Sequence, residues 1–379
     1  MFYIDNNEDL VNICNEINEK TNIIAIDTEF QKQREYFPTL SIIQISFFNG
    51  TMIKDCVIDV LAENIDLKPF FEILSNAKIK KIFHSCSQDL EGLYHISGTI
   101  PVSIEDTQIM AEFCGMKSSL SYTDLIKDTL GIIIKKDKKI QSGNWMARPL
   151  SDKQLEYATS DVDYLLEMYI VLAQKLDKNK NFKYYRMDIE ERYGSDMMDK
   201  IVANSWRKMR FKLGNKTNIY MDAMKSLCRV REEEAMKANV IKTLIAPDSF
   251  LKALLSEQPK SIDEINLLFK DDKEVLSISK VLKKKFIEAY SKVYNKATSN
   301  NIAETPYIVE LKDKNMIRKF EEINDYIISE CRKLEINPEL VQNKMDLSSY
   351  ISDSEKMENL FEKWKIELFG SRIREIKLR

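Results

Sequence analysis

Four carboxylates and one phenol, carried by three short segments, are the residues of this chain best suited to chemistry. Asp27 and Glu29 lie in IDTEF, Asp89 in HSCSQDLEGL, and Tyr157 with Asp161 in YATSDVDYLL. Carboxylate oxygens are the donors that hard divalent cations such as Mg²⁺ and Mn²⁺ prefer. The set points to metal-assisted phosphoryl chemistry.

Spacing supports that reading. Side chains alternate faces along a strand, so Asp27 and Glu29, two apart at the end of an apolar run, point the same way. Two anions held side by side repel unless one is protonated or a cation joins them. Tyr157 and Asp161 stand at i and i+4 of a helical pattern, on one face and about 6 Å apart. Asp89 falls in the first turns of its own helix, where the dipole favours an anion.

Other chemistries lack their residues. The chain has two histidines, His84 and His95, too few for a zinc centre built on imidazoles. None of the nine glycines falls in a Walker loop or a dinucleotide fingerprint. Six cysteines are scattered without a C-x-x-C pair, as suits reduced thiols in the cytoplasm. The acidic start MFYIDNNEDL is unlike a signal peptide, and no apolar run approaches the roughly 18 residues that span a bilayer. The expectation is a cytoplasmic protein without a membrane partner.

The elements that must position these residues follow from periodicity. NIIAIDTEF at 22–30 and LSIIQISFF at 40–48 are continuous apolar runs, which predict strands buried on both faces at the centre of an α/β sheet. KIKKIFHS at 78–85 predicts another strand, followed by a helix opened by a Ser85–Gln88 capping box. Apolar positions recur near every 3.6 residues over 151–176, predicting one long helix capped by Ser151. Beyond about residue 180 the strand signal fades. Helices are predicted at 221–240, at 246–259 with Asp248 or Ser249 as cap, at 261–269, and again at 316–336 and 357–370; 294–306 has linker composition. The reading is a domain over 1–185, then all-α domains over 200–290 and 300–379.

Charge is distributed unevenly between these parts. Residues 1–175 hold 17 lysines and arginines against 26 aspartates and glutamates, a net of −9, whereas 176–379 hold 40 against 34, a net of +6. An acidic active domain followed by a mildly basic region suits a polyanionic substrate.

The runs DTEFQKQREYFPTLSIIQIS, FHSCSQDLEGL with EDTQIMAEFCG, and NWMARPLSDKQLEYATSDVDYLL resemble the DEDD superfamily of 3′ to 5′ exonucleases, and within it the bacterial ribonuclease D family. Tyr157, four residues before Asp161, is similar to the tyrosine branch of that superfamily. The resemblance implies a ribonuclease-H-like mixed sheet with flanking helices, RNA as substrate with tRNA precursors foremost, and two Mg²⁺ or Mn²⁺ ions per site. It implies that Asp27 bridges the two ions, Glu29 and Asp161 complete the first site, Asp89 supports the second through water, and Tyr157 orients the attacking water. A monomer with no obligate protein partner is implied as well.

Relatives usually carry an acidic residue before the tryptophan of the third segment, where this chain has Asn144 before Trp145. SWRKMR and LCRVREEEAMKANVIKTLIAPDSFLKALLSEQPKSIDEI resemble the helicase-and-RNase-D C-terminal (HRDC) domain, and 336–370 resembles a weaker second copy. That resemblance makes Arg207, Lys208 and Arg210 candidates for phosphate contacts. Two competing readings remain: the same chemistry on DNA 3′ ends, and a catalytically inactive nucleic-acid-binding scaffold.

Overall fold

The computed structural model describes residues 1–135, 137–209, 216–307 and 311–379. Six strands form one mixed sheet: β1 (Phe2–Ile4), β2 (Ile23–Gln31), β3 (Thr39–Phe48), β4 (Ile53–Asp59), β5 (Lys80–Phe83) and β6 (Ile104–Asp106), in the order β1-β4-β3-β2-β5-β6. The pairs β2–β3 and β3–β4 are antiparallel, and the remaining pairs are parallel. The two continuous apolar runs take the central positions, as burial on both faces requires. Sequence reading passed over β4, whose Asp55 and Asp59 interrupt the apolar pattern, and the three-residue edge strands β1 and β6.

One face of the sheet packs against α1 (Asn7–Lys20), α2 (Lys68–Ser75) and α3 (Ser87–Ser97), burying Leu10, Ile13, Ile17, Phe70, Ile73, Leu90 and Leu93 against Ile24, Ile26, Ile43, Ile45 and Phe47. Over the other face lie α4 (Thr107–Phe113), α5 (Tyr122–Leu130), α6 (Lys138–Gln141), α7 (Asp152–Ser160), α8 (Leu165–Lys178) and α9 (Phe182–Tyr193). This is the ribonuclease-H-like arrangement, followed by helices alone.

The helix expected over 151–176 is two helices. α7 opens on the Ser151–Gln154 capping box and stops at Ser160; residues 161–164 form a turn, and α8 resumes at Leu165. At the break the backbone N–H of Tyr164 donates to the hydroxyl of Tyr122. An apolar period alone does not register a turn that keeps its side chains in the core.

Two expected caps also differ. Ser85 adopts a left-handed conformation, φ 61°, and α3 starts at Ser87. The N–H groups of Ser85 and Cys86 donate to Asp106, which also caps α4. α3 itself has no side-chain cap, and the Asp106 carboxylate instead holds the turn that leads into it. At 246–259 the helix starts at Asp248 with Pro247 in the N-cap position and no side-chain cap, and Asp248 is engaged by Arg231 at 2.6 Å.

The second half continues with α10 (Met197–Asn204), α11 (Asn218–Ala238), α12 (Lys242–Ile245), α13 (Asp248–Glu257), α14 (Ile262–Leu268), α15 (Lys273–Ser277) and α16 (Lys280–Ser299). Trp206, Met224, Leu227, Phe250, Leu254, Phe286 and Tyr290 form their core. α16 runs through the first part of the expected linker, since Ala297 is buried and Tyr294 packs edge-on against Tyr290. The last helices, α17 (Lys314–Leu334), α18 (Lys344–Ile351) and α19 (Lys363–Leu378), share one hydrophobic cluster with α4, α5, α8 and α9. Trp364 lies 4.9 Å from Phe113, and Asn181 and Asn337 donate to backbone carbonyls across the seam. No helix among the described residues is long and apolar enough to cross a membrane.

Candidate active site

Alternation along β2 sends Asp27 and Glu29 toward α7 and α8 and Thr28 toward α3. In register, Asp27 stands opposite Gln44 and Glu29 opposite Ile42 of β3, with a bulge just after Glu29. Asp161 caps the C-terminal end of α7, where the interruption of the helix leaves it over the same strand end. Carboxylate oxygens of Asp27, Glu29 and Asp161 lie within 4.8 Å of one another. Acids separated by 134 positions in the chain meet because the β2 end and the α7 end coincide.

Asp89 approaches from the other side. α3 packs closely on β3 at Gly92, where an added Cβ would lie 2.5 Å from the Leu40 side chain. The Thr28 hydroxyl donates to Asp89 at 2.5 Å. Burial, and then the charge of Asp27, pushes the Asp89 carboxyl up to about 8. Concentrated acids with little solvent have this effect on a neighbour, and a cation would reverse it.

Tyr157 is buried beside Trp145, Ile42, Val57, Leu150 and Ala158. Burial, then Glu29 and Asp27, holds its phenol well above the usual tyrosine value, so the hydroxyl stays neutral. All five side chains line one cleft of about 730 Å³, together with Thr28, His84, Gln108, Tyr122, Lys138 and Gln141 among others. A separate cavity of about 800 Å³, between Phe37 and Tyr94 on one side and Arg229, Glu233 and Lys237 on the other, contains none of the five.

His84 has both ring nitrogens placed, Nδ1 at 3.0 Å from the Thr107 hydroxyl and Nε2 at 3.1 Å from the Leu120 carbonyl. Asn144 accepts from the Met146 N–H in a local turn, and its carbonyl accepts from Gln154 of the α7 cap. The following loop is stapled by Arg148, which reaches Asp59 at 2.6 Å, the Ser41 carbonyl at 3.0 Å and the Trp145 carbonyl at 2.8 Å. Tyr3 donates to the same Asp59 at 2.5 Å. Burial opposes ionisation of Asp59, but the bonds from Arg148 and Tyr3 outweigh it and hold the carboxyl below its ordinary range.

Sequence reading missed Asp59, Thr28, Tyr122 and Lys138. Thr28 was visible only as the residue between two acids. Lys138 belongs to the charged run KKDKK, which reads as solvated surface until α6 is seen at the cleft. Among the described lining residues it is the one lysine or arginine. Of the basic candidates in the second half, Arg207 pairs with Asp346 at 2.7 Å and lies over the Trp206 ring, Lys208 is exposed, and Arg210 lies outside the described residues.

The acid cluster at the end of a central strand, faced by a helix-borne tyrosine, lies within residues 1–177, which match the family described as 3′-5′ exonuclease. Ribonuclease D of Bartonella henselae is 30% identical over 364 residues, covering 93% of this chain and 84% of that protein. Ribonuclease D of a Jannaschia species is 31% identical over 252 residues, 65% of this chain and 64% of its own length. The crystal structure of Escherichia coli RNase D, described as an exoribonuclease involved in structured RNA processing, superimposes with a TM-score of 0.76 at 23% identity, covering 99% of this chain and 97% of that one. That likeness establishes the fold. The chain belongs to the ribonuclease D family, whose members are 3′ to 5′ exoribonucleases.

Proposed function

We propose that this exoribonuclease hydrolyses the terminal phosphodiester of RNA, releases nucleoside 5′-monophosphates, and trims tRNA precursors. The observation that carries the reading is the approach of Asp27, Glu29 and Asp161 to within 4.8 Å, with Asp89 and Tyr157 in the same cleft. The donor set is oxygen throughout, and divalent cations would offset the upward push that burial, and then the charge of Asp27, exert on Asp89. Two Mg²⁺ or Mn²⁺ ions would supply charge stabilisation at the entering and leaving oxygens of an in-line displacement.

The residues then divide the work. Asp27, Glu29 and Asp161 would hold the first ion, and Asp27 with Asp89 would hold the second. The neutral Tyr157 hydroxyl orients the attacking water, and Lys138 meets a backbone phosphate at the mouth of the cleft. We further propose that 1–185 acts as the exonuclease domain and that 200–290 and 300–379 act as helical RNA-holding modules, with exposed Lys208 as a phosphate contact. The protein works in this reading as a cytoplasmic monomer.

The test is parallel digestion of 3′-labelled and 5′-labelled RNA with Mg²⁺ or Mn²⁺, alongside matched DNA. Stepwise loss from the 3′ end with mononucleotide product is expected, abolished by EDTA and by Asp27→Asn. Wild-type turnover by that variant would show the active centre to be misassigned, and oligonucleotide products would rule out the stepwise mechanism.

A further inference from the structure

The sheet face that carries the acids also carries buried polar groups that find no partner among the described residues. Gln44 stands opposite Asp27 on β2, and Ser46 stands opposite Ala25 on β2 and Asp55 on β4. Alternation puts Asp27, Glu29, Ile42, Gln44, Ser46, Asp55 and Val57 on one face. The packing of Ile42 and Val57 against Tyr157 and Ala158 identifies it as the face under α7.

Gln44 and Ser46 are both 0% exposed. Among the described residues neither atom of the Gln44 amide has a hydrogen-bond partner, and the Ser46 hydroxyl and one Asp55 oxygen are in the same condition. A buried amide left unpaired is unfavourable, and a leucine or methionine would fill the same volume without that penalty. Packing therefore gives no reason for an amide here.

The neighbour across the strand does. Directly opposed residues on one sheet face have Cβ atoms roughly 4.5–5.5 Å apart, and the Gln44 amide extends well beyond its own Cβ. Each carboxylate oxygen that ligates a cation keeps a further lone pair, and ligating carboxylates are characteristically held by hydrogen bonds from surrounding groups.

We propose that Gln44 is a positioning residue for Asp27: its Nε2 donates to the Asp27 carboxylate once that carboxylate turns to hold a divalent cation. The bond fixes the rotamer of the one acid assigned to both ions. The carboxylate opposite would then supply the partner that the Gln44 amide lacks among the described residues. This inference rests on the metal-site reading given under Proposed function.

Gln44→Met in the full-length chain tests it, since methionine keeps the length and volume and removes both polar atoms. Thermal midpoint in EDTA and Mn²⁺ affinity by calorimetry are read together. The expected result is a metal-free midpoint at or above wild type with Mn²⁺ affinity lowered by about 10- to 100-fold. Superimposable Mn²⁺ isotherms overturn the proposal, as does a loss of metal-free stability with unchanged affinity, which marks a structural role. If the wild-type chain binds no Mn²⁺, the metal site and this inference both fall; if it binds and the variant matches it, only this inference falls. A crystal of the wild type soaked in Mn²⁺ gives a check independent of any variant. Gln44 Nε2 should lie within about 3.2 Å of an Asp27 oxygen, and a separation beyond about 3.5 Å refutes the proposal.

Discussion

Trp364 offers the sharpest test of how the last helices relate to the nuclease. Its ring, on α19, is 0% exposed and lies 4.9 Å from Phe113 of α4. Its indole N–H donates to Asp188 of α9 at 2.8 Å, and Asp188 is also fully buried, with Arg192 as its other partner. Trp364→Phe keeps most of the packing and removes a hydrogen bond to a buried charge, worth about 1.5–3 kcal/mol. Trp364→Ala adds a large cavity, about 3–5 kcal/mol. A loss of that size is a large part of the roughly 5–15 kcal/mol that holds a typical domain together. Because α17–α19 and the helices over the sheet share one cluster, the loss should fall on the exonuclease as well as on the C-terminal helices. Urea denaturation followed by far-UV circular dichroism and by residual RNA hydrolysis should show both signals moving to lower urea together, with Phe between wild type and Ala. If the alanine variant lost helical signal at low urea while hydrolysis kept its wild-type midpoint, the shared core would carry no energetic coupling and the reasoning would be wrong.

Asp89 predicts a pH dependence of the metal-free fold. Its carboxyl rises from 3.8 to about 8, so the proton is favoured in the folded state, and the associated stability is present at low pH and lost as pH climbs to about 8. The decline is at most about 1.4 kcal/mol per pH unit, and melts in EDTA should show it in wild type but not in Asp89→Asn; parallel curves would refute it. Lys138→Ala should raise KM for RNA and lower the magnitude of the salt slope by about 0.7, the share of one phosphate contact on a single strand, while an unchanged slope places Lys138 off the substrate path. Arg207→Ala should destabilise the protein by about 1–3 kcal/mol by leaving buried Asp346 unpaired, with RNA affinity little changed; binding measurements that fell instead would return Arg207 to the RNA interface.

The catalytic candidates were legible in the sequence because their information is local. Asp27 and Glu29 share a face through strand alternation, and Tyr157 and Asp161 share one through helical spacing; each needs only a few neighbouring residues to be read. The central strands were equally plain, since burial on both faces leaves continuous apolar runs at 22–30 and 40–48. β4 was not, because Asp55 and Asp59 are polar residues that the tertiary fold uses, Asp59 as the anchor of Arg148.

What the amino-acid order determined by itself is therefore the chemistry: which oxygen donors exist, and which pairs are held together by their own element. Only the tertiary structure decided that β2 and the broken end of α7 meet, so that Asp161 joins Asp27 and Glu29. It alone fixed the turn before α3 on Asp106, brought Lys138 to the cleft, and merged α17–α19 with the nuclease core. The physical reason is range. Periodicity, capping and alternation act over a few residues, whereas convergence, desolvation and unpaired buried groups such as Gln44 depend on which distant segments the hydrophobic core draws together.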